Sequence, residues 1–174
     1  MDTFDIYWFE EHYKDGQCVV ENNDSTVCMS EDDDRYIIQT EQASPSMICE
    51  FKSYFPDTLG LMEEGRYLKW GDTNIGVWKK YDKTGDVVEE IDYDKDWNIT
   101  WEKLIPFIQE QDIKMRGIVG IERFEKKNEE DENSTVERVW VIEQMLKSGE
   151  ELVFHFDGNN GKLIEKITLP PVTP

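Results

Sequence analysis

Hydrophobic and polar residues alternate along much of the chain in short runs that predict antiparallel β-strands. Aromatic and β-branched side chains recur two positions apart in these runs, and polar turn residues separate them. Strands are predicted at residues 4–9, 35–40, 118–124, 136–146 and 151–156. The polar stretch 21–34 ends in consecutive acids, and the stretch 125–137 is also highly charged. Both predict solvated loops, because neighbouring like charges repel.

Residues 47–97 contain an internal repeat of two predicted β-hairpins. The first copy has the order Phe51-Lys-Ser-Tyr54, Leu61-Met-Glu-Glu64 and Tyr67, which recurs as Trp78-Lys-Lys-Tyr81, Val87-Val-Glu-Glu90 and Tyr93. A hairpin cannot bury an aromatic face by itself, so the repeats predict an extended meander of packed hairpins. The large residues expected to share one buried face are Tyr54, Trp78, Tyr81 and Tyr93. A further strand–turn–strand pattern occupies residues 154–167.

One amphipathic helix is predicted after the hairpins. Its apolar stripe, spaced by about three, four and seven residues, consists of Trp101, Leu104, Ile105, Ile108 and Met115. Asn98 or Thr100 is the expected N-cap, and Gly117 ends the pattern. Pro106 lies inside the stripe and is expected to kink the helix or to confine it to its first turn.

These elements predict an α+β protein, mainly an antiparallel β meander with one amphipathic helix. Residues 1–46 would supply N-terminal strands and an acidic loop. Residues 47–97 would supply the hairpin repeats, and residues 98–174 the helix with further antiparallel strands. We expect the three segments to pack as one domain, as the chain length allows.

The second hairpin resembles a known repeat. Its segment Gly76-Val-Trp78-Lys-Lys-Tyr81-Asp82-Lys-Thr-Gly85 is similar to the G-x-W-x-x-Y-x-x-x-G unit of the bacterial MORN-like antitoxin and immunity group. The resemblance covers about residues 47–97, and the first copy departs from it with Phe51 in place of Trp and without the turn glycine. It implies MORN-like hairpins and a protein that binds and neutralises a toxin domain.

The charge of the chain limits its partners. Lys and Arg number 19 against 39 Asp and Glu, so the formal net charge is −20. This excess argues against unaided nucleic-acid binding, which needs cations to replace phosphate counterions, and against docking on anionic lipid headgroups. The chain is still 38% hydrophobic and 12% aromatic, enough for a folded core. A basic protein is therefore the expected partner, with no nucleic acid and no membrane.

The sequence also favours a reduced, cytoplasmic protein. No stretch approaches the ~18 apolar residues of a membrane span, and the first residues lack the basic and apolar parts of a signal peptide. The cysteines, Cys18, Cys28 and Cys49, are odd in number and form no C-x-x-C pair.

Chemistry-bearing motifs are sparse. No recognisable nucleophile elbow, phosphate loop or zinc motif occurs, and the two histidines, His12 and His155, are expected at the surface. We therefore expect no enzyme activity, no catalytic residues and no cofactor. Residues 92–103 begin like a calcium loop with carboxylates at alternate positions, but Trp97 replaces the turn glycine and Lys103 the bidentate glutamate. No metal site is expected there.

The same segment predicts an acidic surface strand. In such a strand Ile91, Tyr93 and Trp97 face the core. The acids at the alternate positions face solvent, where they would discourage edge pairing or dock a basic partner. The candidate partner-binding residues are Glu89, Glu90, Asp92, Asp94 and Asp96, together with Asp32, Asp33 and Asp34.

Three classes of function remain open on this evidence. The first is an immunity protein or antitoxin that occludes a basic toxin domain, for example a nuclease. The second is a non-enzymatic acidic β scaffold or binding module, for example one associated with the cell envelope. The third is a metal-dependent enzyme or calcium-binding domain. The charge, the repeat resemblance and the missing catalytic motifs favour the first class.

Overall fold

The structure, a computed structural model, describes residues 2–14, 16–42, 46–71, 73–126 and 136–171. These residues form two α-helices, α1 (Ile6–His12) and α2 (Trp101–Glu110), and a short 3₁₀ helix at Met115–Gly117. The first seven strands are β1 (Gln17–Glu21), β2 (Ser25–Asp32), β3 (Arg35–Gln42), β4 (Ile48–Tyr54), β5 (Leu61–Leu68), β6 (Thr73–Tyr81) and β7 (Val87–Asp92). Four more follow, β8 (Ile118–Lys126), β9 (Glu137–Met145), β10 (Glu151–Asp157) and β11 (Leu163–Leu169).

The strands form two antiparallel meanders. The first sheet has seven strands in the order β1 to β7, and the second has four in the order β11-β10-β9-β8. Every strand therefore neighbours the strand that precedes or follows it in the sequence. The predicted α+β class with a mainly antiparallel β meander is confirmed, and both predicted hairpins are present as β4–β5 and β6–β7.

The chain divides into two compact units. The first contains Met1–Leu68 and Asn74–Tyr93, and the second contains Lys69–Thr73 and Asp94–Pro174. The first unit carries α1 and the seven-stranded sheet, and the second carries α2 and the four-stranded sheet. The predicted boundary between residues 46 and 47 falls between β3 and β4, which are paired neighbours in one sheet.

The predicted strand at residues 4–9 is wrong, because most of this aromatic run belongs to α1. The Asp5 side chain caps the helix by accepting a hydrogen bond from the Trp8 amide at 3.0 Å. Phe9 is buried on the inner side of α1, and Phe4 stacks on Tyr36 with ring centroids 4.6 Å apart. A cap and tertiary packing therefore prevail over the β propensity of the aromatic residues.

The predicted acidic loop at residues 21–34 is also wrong. Most of it is strand, and only Asp33 and Asp34 lie in the turn between β2 and β3. Met29 is partly buried and packs against the core beneath α1, which gives β2 an inner face. The Arg35 side chain lies 3.8 Å from the Asp32 carboxylate and 3.9 Å from that of Asp34, and this offsets their repulsion.

The predicted amphipathic helix is present and forms part of the core of the second unit. Trp101, Leu104 and Ile108 are buried in α2, with Thr100 at its N-cap. Pro106 lies beyond the first turn, within the helix, so it does not confine α2 as predicted. The stripe also ends earlier than predicted, since Met115 begins the separate 3₁₀ helix.

The second sheet contributes the other half of that core. Trp140, Ile142, Phe154 and Phe156 are buried on β9 and β10. The Trp140 indole donates to the Ile99 carbonyl at 2.8 Å, so the ring's polar atom is satisfied. The strands predicted at 118–124, 136–146 and 151–156 correspond to β8, β9 and β10. Most of the predicted loop at 125–137 lies outside the described residues.

Candidate protein-binding surface

The last strand of the first sheet, β7, is exposed at every one of its residues. Within the described part of the chain it has a neighbouring strand, β6, on one side only. Its aliphatic side chains are unusually open, since Val87 is 50%, Val88 63% and Ile91 36% exposed. Exposed aliphatic side chains grouped on a sheet edge are typical of surfaces that bind another protein.

The acids of β7 alternate between the two faces of the sheet. The pairing of Lys79 with Glu90 and of Lys80 with Glu89 places Glu90 and Asp92 on one face and Glu89 on the other. Glu89 lies 2.7 Å from the Lys80 ammonium and Glu90 3.7 Å from that of Lys79. Both pairs are exposed, so each contributes only ~0–1 kcal/mol and can exchange its cation for one from a partner.

The turn before β7 is held by one carboxylate. Asp82 Oδ1 accepts hydrogen bonds from the Thr84 amide at 2.9 Å, the Thr84 hydroxyl at 2.6 Å and the Asp86 amide at 3.0 Å. These bonds lower the pKa of Asp82, the Thr84 side chain most of all. Gly76 and Gly85 have φ values of 62° and 91°, which explains why the repeat carries glycine at both positions.

Aromatic residues support the hairpin on one face. The Trp78 ring covers Gly65 so closely that a Cβ atom there would lie 2.1 Å from it. Trp78 also stacks on Phe51 with ring centroids 5.5 Å apart and donates from Nε1 to the Arg66 carbonyl at 2.9 Å. Tyr93 meets the same ring edge-on at 6.2 Å. These half-buried rings pack in a row across one face of the sheet, from Phe51 of β4 through Trp78 of β6 to Tyr93 after β7.

The predicted common face for the four large hairpin residues is wrong. Tyr54 is buried with Phe4 and the other residues beneath α1, whereas Trp78 packs with Tyr93. The Tyr81 hydroxyl donates to Glu64 at 2.5 Å, and this bond, followed by burial, raises the pKa of Tyr81 to about 12. Residues three apart in a strand point to opposite faces, so the repeat necessarily divides its aromatic residues.

Asp94 does not belong to the exposed surface that the sequence predicted. Its carboxylate accepts a hydrogen bond from Arg123 Nη1 at 2.6 Å, and the two side chains are only 16% and 7% exposed. The Arg123 guanidinium lies 5.0 Å from the Trp97 ring and 5.2 Å from that of Trp140. Asp94 is therefore part of a partly buried ion pair in the second unit, and its carboxylate is already engaged by a cation of this chain.

The remaining predicted residues lie apart from β7 in the sequence and are exposed. Asp32, Asp33 and Asp34 surround the β2–β3 turn, where the Asp32 carboxylate accepts from the Asp33 amide at 2.8 Å. Asp96 is exposed in a turn of the second unit, with a φ of 68°. The structure thus keeps Glu89, Glu90 and Asp92 on one strand, and it places Asp32, Asp33 and Asp34 at the turn between two other strands of the same sheet.

Two side chains of the segment that resembles a calcium loop, residues 92–103, bind other groups of the protein. Asp94 is held by Arg123, and Lys103 donates to the Asn98 carbonyl at 3.0 Å. Among the described residues, no three His, Cys, Asp or Glu side chains are grouped closely enough to hold a metal ion. His12 stacks on Trp8 with ring centroids 4.2 Å apart, and His155 lies 3.6 Å from Glu165.

A further carboxylate, Glu143, was missed from the sequence. It lies in β9, where it is paired with Gly120 of β8 and Val153 of β10. A Cβ atom on Gly120 would lie 2.0 Å from the Glu143 Oε2 atom. Burial raises the pKa of Glu143, and the nearby Glu151 and Glu122 raise it further. The available signal was an acid in the same alternating row as Val139 and Val141, which are both buried.

Comparisons with protein-family models, curated proteins and solved structures found no match in any of the three searches. Within the described residues, neither α1 nor α2 has the length and apolar character that a membrane-crossing helix needs. The charge, the exposed edge and the local geometry of this chain are therefore the features that bear on its function.

Proposed function

We propose that this protein is an immunity protein or antitoxin that binds a basic bacterial toxin domain and neutralises it by covering its active surface. It does so without chemistry of its own, in the cytoplasm, where Cys18, Cys28 and Cys49 remain thiols as they are in the structure. The toxin is a protein with a cationic working surface, of which a nuclease is the leading example. The hairpins β4–β5 and β6–β7 are assigned to the MORN-like group on their repeat pattern.

The observation that carries this proposal is that all six residues of β7, an edge strand with both acidic and aliphatic side chains, are exposed. Glu89, Glu90 and Asp92 provide the charge, and Val87 and Val88 provide apolar area worth ~25 cal/mol per Å² when a partner covers it. The combination suits a protein partner better than a small cation, which would gain nothing from the aliphatic groups.

The net charge of −20 supports the same conclusion. A strongly acidic protein attracts a basic partner over long distances, which accelerates their encounter, and the attraction weakens as salt screens it. An inhibitor that must reach a toxin before the toxin reaches its substrate benefits from a fast association rate. The predicted docking set is revised accordingly to Glu89, Glu90 and Asp92, with Asp96 and Asp32–Asp34 as contributors to the long-range field.

The test uses the product of the neighbouring reading frame as the partner. Co-expression should rescue cells from that product, and its association rate should fall steeply with added salt while its dissociation rate changes less. Reversing Glu89, Glu90 and Asp92 to Lys should weaken binding by at least about tenfold. The matched control reverses Asp32, Asp33 and Asp34, which alters the net charge equally but leaves β7 intact.

Two results would contradict the proposal. One is a neighbouring product that is neither toxic nor bound, in which case an acidic scaffold module, for example one associated with the cell envelope, becomes the better description. The other is a β7 triple variant that folds normally by circular dichroism and still protects cells as well as the unchanged protein.

A further inference from the structure

We infer that β7 binds its partner by strand addition: an extended basic segment of the toxin pairs antiparallel with β7 and becomes an eighth strand of the first sheet. This inference rests on the proposed function and specifies how the partner is held. It assigns the recognition to the backbone of β7 as well as to its side chains.

The backbone geometry supports this mode of binding. The Tyr93 amide donates to the Gly76 carbonyl at 2.9 Å, so Tyr93 directs its backbone groups toward β6. The backbone groups of successive residues in an antiparallel strand point alternately toward and away from the neighbouring strand. The N–H and C=O of Ile91 and Glu89 therefore also point toward β6, and those of Glu90 point away from it. On that outer side, the structure shows no strand among the described residues. The outward backbone groups of Glu90 are a ready template for another strand.

The side chains define the chemistry of the added strand. Glu90 and Asp92 lie on one face of the sheet, and Ile91 lies on the other. A complementary strand therefore alternates basic and apolar residues, with Lys or Arg beside the two acids and an aliphatic residue beside Ile91. Cross-strand pairs of this kind each contribute roughly 0.2–1 kcal/mol.

Charge also excludes the most obvious competitor, a second copy of this chain. Edge strands usually avoid association through Lys, Pro or inward charges, and β7 has neither Lys nor Pro between Val87 and Asp92. Its acids take over that role, because a second β7 would place carboxylates opposite carboxylates. The same acids that prevent self-pairing attract a basic strand, so the edge is selective for a basic occupant.

A proline substitution separates backbone recognition from charge recognition. Glu90→Pro removes an outward amide that β6 does not use, and proline is tolerated on edge strands at such positions. Glu90→Ala removes the same carboxylate but keeps the amide, which makes it the matched control. We expect Glu90→Pro to bind the toxin at least about tenfold more weakly than Glu90→Ala, with both variants folded by circular dichroism. Equal affinities would overturn strand addition.

A peptide experiment tests the inference without changing the protein. The probe is a short peptide of alternating Lys and Val, compared with two versions that are N-methylated on every Lys or on every Val. We expect the unmodified peptide to bind and one methylated version, the one whose blocked amides face β7, to lose most of its affinity. Absence of binding by the unmodified peptide, or equal binding of all three, would overturn the inference.

The outcomes keep the two proposals distinct. Salt-dependent toxin binding with equal Glu90→Pro and Glu90→Ala affinities would retain the immunity function and reject strand addition. Failure of the unchanged protein to bind the toxin at all would reject the immunity function. A dimer in sedimentation that Glu90→Pro abolishes would overturn the assignment of a basic partner to this edge.

Discussion

The two sheets contain similar aromatic side chains and use them differently. In the second sheet Trp140, Phe154 and Phe156 are almost completely buried together with Trp101 of α2. In the first sheet Trp78 and Tyr81 remain half-exposed, and β7 has no buried residue. Aromatic content by itself therefore does not predict which surface of this protein is closed and which is open.

The difference arises from the helices that each unit supplies. In the second unit the ten-residue α2 carries a continuous buried stripe for a sheet of four strands. In the first unit the seven-residue α1 has one buried residue, Phe9, for a sheet of seven strands. A short helix cannot cover so broad a sheet, because each residue adds only ~1.5 Å of length. The strand at the far end of the sheet order, β7, is left open.

The largest expected loss of stability concerns the ion pair between Arg123 and Asp94 in the second unit. Arg123→Ala removes the cation from the partly buried Asp94 carboxylate, and we expect a loss of about 3 kcal/mol in the unfolding free energy, the lower end of the range for buried pairs. Urea denaturation monitored by tryptophan fluorescence measures it, since Arg123 lies against two indole rings. The control, Lys114→Ala, breaks an exposed pair with Asp112 and should cost only ~0–1 kcal/mol. Equal losses for the two variants would show that the Arg123 pair is not buried.

The next largest effect concerns the close packing of the Trp78 ring on Gly65 in the first sheet. Gly65→Ala places a Cβ atom 2.1 Å from the Trp78 ring, so the ring must move, at a cost of ~1–3 kcal/mol. Near-ultraviolet circular dichroism and urea denaturation report the change. Gly60→Ala is the control, because its nearest contact, Thr58 Oγ1, lies 3.4 Å away. A Gly65 variant as stable as the Gly60 variant would contradict this packing.

A smaller effect concerns the hydrogen bond between Tyr81 and Glu64. Tyr81→Phe should lower stability by about 1 kcal/mol, as the loss of one side-chain bond typically does. Folding raises the pKa of Tyr81 from 10.0 to about 12, so this contribution is complete below pH 10.0 and is lost as pH rises through about 12.

Ultraviolet absorbance during an alkaline titration checks that pH dependence. The Tyr81→Phe variant should lack the component that titrates near pH 12. Glu64→Gln should shift the same component to lower pH, because the amide accepts the bond without a negative charge. Unchanged titration curves in both variants would show that the bond does not exist in solution.

The smallest expected effect is a stabilisation. Burial and two neighbouring carboxylates raise the pKa of Glu143, so its ionised form disfavours folding at neutral pH. Glu143→Gln should therefore increase the unfolding free energy by about 0.5 kcal/mol at pH 7, the scale of a favourable surface change. The gain should shrink as pH falls through the raised pKa, because the protonated acid no longer repels its neighbours.

Thermal unfolding at neutral and acidic pH measures this difference. Glu137→Gln removes one charge from an exposed position of the same strand and serves as the control. A Glu143 variant that is no more stable than the control at neutral pH would contradict the proposed repulsion with Glu122 and Glu151.

Local pattern was sufficient for the elements whose determinants lie close together in the sequence. Alternating residues and turn signals predicted both hairpins and the order of the C-terminal strands. The spacing of Trp101, Leu104 and Ile108 behind Thr100 predicted α2. These determinants work because a strand repeats every two residues and a helix every ~3.6, so the chain itself records which face is buried.

The structure of the N-terminal region and the composition of the candidate surface required tertiary information. Residues 4–9 have an aromatic pattern compatible with a strand, and the Asp5 cap together with the packing of Phe4 and Phe9 selects a helix. The acids after β7 look equivalent along the sequence, yet Asp94 meets Arg123 across 29 positions of the chain and becomes buried.

The sequence alone determined the acidic net charge, the antiparallel hairpins and the glycines that their turns require. Only the tertiary structure decided which acids stay exposed, where Glu143 lies against Gly120, and that β7 is left with an open edge. The physical reason is that the net charge and the spacing of hydrophobic residues are properties of the linear chain. The environment of a carboxylate depends instead on residues that folding brings beside it, because desolvation is local and the charges that shift a pKa most lie within about 4–6 Å.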